Sequence, residues 1–311
     1  MPATGIKGGG AGKVAAAPGF VPWLFGRTIE FIRLHGPSLG WGLLSVGLFA
    51  GIWELLWYLG VADQRLLPPP HIFLGNLAGQ AKNFNTARRW EIGVDPNSGP
   101  TPLGAVIITM ASSTMRVLVG LAIAATASLC TGVLIRYHGL FGKLVLPTVT
   151  LLAPVSPVAW LPVAIFLFGI GNAPAIFMVF IALFFTMTLA TITQIDSVNR
   201  NYINVARTMG ASKRQIYTRV ILPAILPGLL VVLRLNLFAA WMVVLVAEAT
   251  GVGYGLGQII SLARNTFNPG LVYFTIVIIG LLGFICDFAL RLLQRRVLFW
   301  LPNGRGGLGG G

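Results

Sequence analysis

Charged side chains are scarce in this chain, at 10% of 311 residues, and acidic ones are scarcer still, with 8 against 22 lysines and arginines. A soluble fold needs a polar shell. With 56% apolar residues and a mean hydropathy of +0.82 there is too little polar surface to make one, which excludes a water-soluble domain and implies lipid as the missing solvent. On a soluble protein a net charge of +14 would raise nucleic acid as a partner. Here the cations lie between apolar runs, with no basic stretch interleaved with aromatics, so no nucleic-acid partner is expected. Cysteine is nearly absent: Cys130 and Cys286 both fall inside apolar runs, which excludes a disulfide framework and leaves two small residues expected to be buried. The histidines His35, His71 and His138 are scattered without metal-ligand spacing, and no neighbouring Ser, His and carboxylate set exists, so neither a metal site nor a catalytic site is expected. Gly12-Lys13 hints at a phosphate loop, but Lys7 stands where Gly is required, Val14 replaces Ser or Thr, and no strand precedes it. The chain is therefore expected to bind no cofactor of its own.

What the sequence does contain is long apolar runs. Windows of about twenty residues, enough to cross a bilayer's hydrocarbon core, fit 39–60, 113–135, 144–169, 173–194, 223–250 and 271–293. These predict an all-α, polytopic membrane protein of about six transmembrane helices. The expected organisation is a head over 1–38, a first membrane helix over 39–60, an outside-facing loop with a short amphipathic helix over 61–104, a core over 105–300, and a tail over 301–311. Head and tail are rich in Gly, Ala and Pro and lack the apolar content that offsets ordering entropy. The first run starts near Leu39, too far from Met1 for an ordinary cleaved signal peptide, so it is read as a retained helix.

The third window carries Pro147, Pro154, Pro157 and Pro162, which remove backbone donors and bend a helix. Membranes tolerate this where neighbours or a water-lined cavity satisfy the freed carbonyls. Pro154 and Pro157 thus mark either a pathway wall or a kinked helix packed in protein.

Lysine and arginine placement sets the expected orientation. With the N-terminus inside, fifteen cations face the cytoplasm: Lys7, Lys13, Arg27, Arg33, Arg136, Lys143, Arg200, Arg207, Lys213, Arg214, Arg219, Arg291, Arg295, Arg296 and Arg305. Five lie outside, at Arg65, Lys82, Arg88, Arg89 and Arg264, while Arg116 and Arg234 fall within spans. Both termini are expected in the cytoplasm, and the excess positive charge is accounted for by topology and anionic lipid.

The segment from Asn199 to Pro223 is polar enough to leave the bilayer yet patterned enough to be ordered. Tyr202, Val205, Ala206 and Met209 recur at helical spacing, and Gly210 suits a left-handed C-terminal cap. Ser212 with Gln215 makes a capping box for a second helix with Ile216, Val220 and Ile221 as its apolar stripe, expected to stop at Pro223. Five cations on a short rigid elbow, with apolar residues left over, describe a docking knob for another protein.

Asn204-Val205-Ala206-Arg207-Thr208-Met209-Gly210, continuing to Val220-Ile221-Leu222-Pro223, resembles the EAA loop of ABC importer permeases, whose pattern is Glu-Ala-Ala, three residues, Gly, nine residues, then Ile, any residue, Leu, Pro. The spacing matches throughout. Asn204 stands where Glu is usual, Val205 where Ala is usual, and Val220 where Ile is usual. Leu151 to Pro162, Phe168-Gly169-Ile170-Gly171, Gly228 to Arg234, Ala247-Glu248 and Gly253-Tyr254-Gly255-Leu256-Gly257 are similar to the subgroup that imports nitrate, sulfonates, taurine or bicarbonate. The likeness covers roughly residues 103 to 300.

The resemblance implies a type I importer of the bacterial inner membrane. In it a second permease subunit, often an identical copy, completes the pathway. Two cytoplasmic ATPases, which carry the ATP and Mg, grip the elbows, and a soluble or lipid-anchored binding protein delivers substrate. The coupling loop is then 200–222, with Asn204, Val205, Ala206, Arg207, Gly210, Ala211, Ser212, Leu222 and Pro223 as the residues that match the motif. ATP-driven closure would draw two such elbows together and switch the pathway by rigid-body motion.

Arg116, Arg234 and Glu248 are the ionisable residues expected near membrane depth, where a charge needs a cavity or a partner. Arg234, about 16 Å from the inside start of its span at 1.5 Å per residue, either contacts an anion or pairs with a neighbouring helix or backbone carbonyls. Arg116, near the outer end of its span, is free to snorkel. Glu248 is expected to order the Gly-rich turn after it. The rival function is an ATP-independent channel or secondary transporter. Thr250-Gly251-Val252-Gly253-Tyr254-Gly255 is similar to a potassium filter, but Gly251 splits Thr from Val, and the motif follows a full span rather than a short pore helix.

Overall fold

The computed structural model of the chain describes residues 40–42, 44–60, 67–84 and 101–298; the head 1–38, the tail 301–311 and the decoy phosphate loop at Gly12-Lys13 lie outside them. Every regular element among the described residues is helical. The chain divides into two units, 1–63 and 64–311. In the first, α1 (Gly40–Tyr58) is long and apolar enough to cross a membrane.

The second unit carries α2 (Pro70–Gly75), α3 (Leu77–Phe84), α4 (Pro102–Tyr137), α5 (Gly139–Leu152), α6 (Leu161–Phe168), α7 (Asn172–Asp196), α8 (Arg200–Thr208), α9 (Lys213–Ile216), α10 (Leu222–Ala247), α11 (Leu256–Asn265) and α12 (Pro269–Val297). Five described helical runs, α1 among them, are long and apolar enough to span a bilayer, or six if the bent pair α5–α6 counts as one span.

The centre of the unit is α4 packed along α7 with α10 against both. Val117, Leu121 and Ala124 on α4 and Met178, Val179 and Leu183 on α7 are fully or almost fully buried. Close approach depends on small residues. An added Cβ at Gly120 or Gly132 would come within 2.7 Å of a side-chain carbon of Val179 or Thr191.

Three expected boundaries are corrected. The window 113–135 lies within a 36-residue helix that starts at Pro102, because Thr101 caps Gly104 and Pro102 suits the first turn. The hydroxyls of Thr109, Ser112 and Thr114 bond back to carbonyls four residues earlier, so this polar patch does not interrupt the helix. In the third window α5 and the run Pro157–Phe168 meet at 101°, with a 3-10 turn over Pro157–Trp160. Ser156, ahead of Pro157, is extended at ψ 131°, the conformation that a following proline ring imposes. Pro147 and Pro162, by contrast, are carried inside α5 and in the first turn of α6.

The third correction concerns Pro223. It does not stop the second elbow helix, and Lys213–Val252 runs as one helical stretch of 40 residues. A π turn over Tyr217–Ile221 widens the helix just before it, with the Leu222 N–H donating to the Tyr217 carbonyl five residues back. The wider turn accommodates the proline ring and its missing donor. The elbow and the span are therefore one continuous element.

Candidate functional site

At the elbow, Asn199 caps α8 by accepting from the Asn201 N–H at 2.9 Å. The helix ends in a Schellman arrangement: Gly210 sits at φ 75°, its N–H donates to the Arg207 carbonyl, and the Ala211 N–H donates to the Ala206 carbonyl. The Ser212–Gln215 capping box is complete in both directions. So few residues between two caps leave the elbow little freedom.

Ile203, Ala206 and Ala211 turn inward onto a cluster of Ile195, Ile216, Ile221 and Ile225. The expected single apolar face is thereby corrected, because Ala206 packs inside while Tyr202, Val205 and Met209 face outward, Met209 at 82% exposure. The outer row is spaced i, i+3, i+7, one stripe of a helix. Asn204, Arg207, Gly210, Ser212, Leu222 and Pro223 are also exposed, and Ala211 is half-buried.

The elbow is bonded to the end of α4. Lys213 Nζ donates to the Tyr137 carbonyl at 2.6 Å and lies 4.6 Å from the centre of the Tyr137 ring. Tyr217 Oη donates to the Arg136 carbonyl at 2.8 Å, and its ring meets that of Tyr137 edge-on at 5.0 Å. Arg136 also pairs with Asp196 at the end of α7. Carbonyls in the last turn of a helix lack intrahelical donors, and here two of them receive donors from the elbow.

Near the opposite end of α10 two of the three sequence-predicted charges, Arg116 and Glu248, come together. Arg116 does not snorkel: it is 2% exposed, and its Nη1 lies 2.5 Å from Oε1 of Glu248, which is wholly buried. Arg116 Nη1 also donates to the Tyr254 carbonyl at 3.1 Å, Nε donates to Asn172 Oδ1 at 2.8 Å, and the guanidinium lies 4.2 Å from the Tyr254 ring centre. Glu248 Oε2 accepts from the Gly257 N–H at 3.0 Å. The expectation that Arg116 snorkels is corrected: α4 continues past it on both sides, and the guanidinium turns into the protein onto Glu248. The Tyr254 carbonyl is bound to Arg116, so it is not free to line a potassium filter.

Arg234 and Glu248 do not meet. Arg234 pairs instead with Asp287 on α12, Nε to Oδ1 and Nη2 to Oδ2, and Arg291 donates to Oδ2 of the same carboxylate. Asp287 is the functional candidate that sequence reasoning missed. The available signal was a lone acid inside the sixth apolar window. Arg291, counted with the tail, belongs to α12. Pro154 is exposed and Pro157 half-buried at the α5–α6 bend, Cys286 is buried, and Cys130 is exposed on the chain, contrary to expectation. No group of three or more His, Cys, Asp or Glu able to hold a metal occurs among the described residues.

The chain is similar to known proteins in sequence and in fold. Residues 117–299 match the family described as binding-protein-dependent transport system inner membrane component. The taurine transport system permease of Escherichia coli is 28% identical over 86% of this chain and 96% of its own length. The nitrate import permease of Leptolyngbya laminosa is 29% identical over 67% of this chain and 75% of its own. The fold is shared with a solved inward-facing structure of the MetNI methionine ABC transporter, at a TM-score of 0.57 and 20% identity, covering 64% of this chain and 99% of that one.

Proposed function

Because this chain belongs to the binding-protein-dependent transport system inner membrane component family, we propose that it forms the membrane pathway of an ATP-driven importer for a small oxyanion of the nitrate, sulfonate or taurine type. Bicarbonate has the charge and trigonal oxygens of nitrate and stays within that class. The N- and C-termini and the elbow lie in the cytoplasm, the side that the lysine and arginine excess assigns to them. Two ATPase subunits, holding the ATP and Mg, receive the two elbows of a permease dimer, and a binding protein supplies solute from outside.

The observation that carries the reading is the outward row of Tyr202, Val205 and Met209 on a doubly capped elbow, flanked by the exposed Arg200, Arg207, Lys213 and Arg214. Apolar anchors ringed by cations suit a groove with an acidic rim. Asn204 in place of the usual Glu means that this contact is made without a carboxylate from the elbow. The continuous stretch from Lys213 to Val252 supplies a stiff lever from the docking row into the membrane.

The test is uptake of radiolabelled taurine or nitrate into proteoliposomes that contain the permease with or without its ATPase and binding protein. ATP-dependent uptake only in the complete assembly is expected. Gly210→Val, which puts a β-branched residue at φ 75°, is expected to leave membrane insertion intact and abolish that uptake. Transport by the permease alone would establish the channel or carrier reading instead.

A further inference from the structure

Two ionic clusters among the helices, one buried and one half-exposed, differ in their charge arithmetic. Arg116 and Glu248 are one cation and one anion, 2% and 0% exposed, and their charges cancel. At the other cluster a single carboxylate, Asp287, 4% exposed, holds both Arg234 and Arg291, leaving one net positive charge within the α10 and α12 spans. No other acid lies in α10 or α12 to cancel it. Arg295 and Arg296, in the last turn of α12, add positive charge on the elbow side.

Hydrogen-bond capacity points the same way. A guanidinium has five N–H donors. Arg234 directs Nε and one Nη2 hydrogen at Asp287, and Arg291 does the same, so three donors on each have no partner among the described residues. Arg234 and Arg291 are 36% and 49% exposed, so these donors are within reach of a ligand. Asp287 lies ten residues from Val297, about 15 Å along the helix. At that depth an uncompensated cation with free, planar donors is costly unless an anion or water meets it.

We propose that Arg234 and Arg291, held in register by Asp287, form an oxyanion-binding station in the elbow-side half of the spans. The forked donors match the planar oxygens of nitrate or carboxylate-like groups and two oxygens of a sulfonate or phosphate. Asp287 fixes the two guanidiniums and cancels half their charge, which keeps binding weak enough for release, as a transit site requires. The same chemistry accepts the phosphate of an anionic lipid headgroup. Identifying the ligand as transported solute rests on the importer reading, whereas the oxyanion site rests on the charges alone.

The experiment uses the assembled transporter in nanodiscs of phosphatidylcholine. Thermal unfolding of the permease is followed against potassium nitrate and potassium methanesulfonate at constant ionic strength, and separately against the fraction of phosphatidylglycerol in the discs. A saturable rise in unfolding temperature is expected, with the apparent affinity weakened about tenfold or more in R234Q/R291Q and strengthened in D287N. If the glutamine pair does not assemble, R234K/R291K keeps the charge and loses the fork, and a weakened response is expected there too. A response to the soluble anions assigns the station to a free oxyanion, and a response to phosphatidylglycerol alone assigns it to a headgroup; each supports an oxyanion site. No saturable response to either probe, or an unchanged response in the variants, overturns it. ATP-driven uptake, measured separately, reports on the importer reading: binding without uptake sinks that reading alone, and uptake without binding sinks this site alone.

Discussion

At Arg116 a guanidinium gives up water and receives a carboxylate, a carbonyl, an amide oxygen and an aromatic face. Its Nη2 has no hydrogen-bond partner among the described residues. The sequence marked Arg116 and Glu248 as costly, yet their 132-residue separation in the chain concealed that each answers the other. Removing one partner strands a buried charge, so Arg116→Met and Glu248→Gln are each expected to destabilise the chain by about 3–5 kcal/mol, whereas the double variant is expected to lose much less than the sum. Unfolding of the four proteins in one detergent measures this, and strictly additive losses would show that the pair is not coupled. Gly255 belongs to the same unit, because at φ 133° a side chain there is strained and its Cβ would run into the Glu248 carboxyl. Asp287 was the harder residue to foresee: a lone acid in an apolar window says that a cation must be near, and the window cannot say which.

For the elements, the elbow was the most legible part. Gly210, Ser212 and Gln215 act through local backbone geometry, which a few neighbouring residues specify, and the two caps occur where the sequence places them. The tie between Lys213, Tyr217 and the last carbonyls of α4 was not legible, since it joins residues 76 and 81 positions apart. Those two bonds tie the end of α4 to the elbow. In K213M/Y217F, which removes both bonds and keeps most of the apolar stems, ATP hydrolysis by the assembled transporter is expected to persist while solute moved per ATP falls several-fold. Two hydrogen bonds at about 1 kcal/mol each are too little to unfold the chain. Unchanged stoichiometry would mean that force enters through α10 alone. The continuation past Pro223 was illegible for a similar reason, because a π turn depends on how the widened helix packs, as Ile216 and Ile221 do here.

For the molecule as a whole, the exposed apolar surface indicates what must cover it. Along α10, Val231, Leu235, Phe238, Met242 and Val246 are exposed at helical spacing on one face, opposite the buried Leu237, Ala240 and Val244. Lipid or a second permease must meet this row. If the second permease is a copy of this chain and lies on this face, single variants Leu235→Cys or Met242→Cys, in a background with Cys130→Ala, are expected to give an oxidised dimer in native membranes. Absence of a cross-link at both positions, with assembly intact, would favour lipid or an unlike partner there.

Sequence alone determined that this is an all-α membrane protein, that it resembles the importer permeases it proves to belong to, and where the elbow begins and caps. Those properties follow from composition, run length and local backbone preference, each of which is written within a few turns of chain. Tertiary structure alone decided that Arg116 answers Glu248, that one carboxylate serves Arg234 and Arg291, and that the elbow is fastened to α4. Such pairings join distant positions, and only the packed helices set which charged groups come within hydrogen-bond reach.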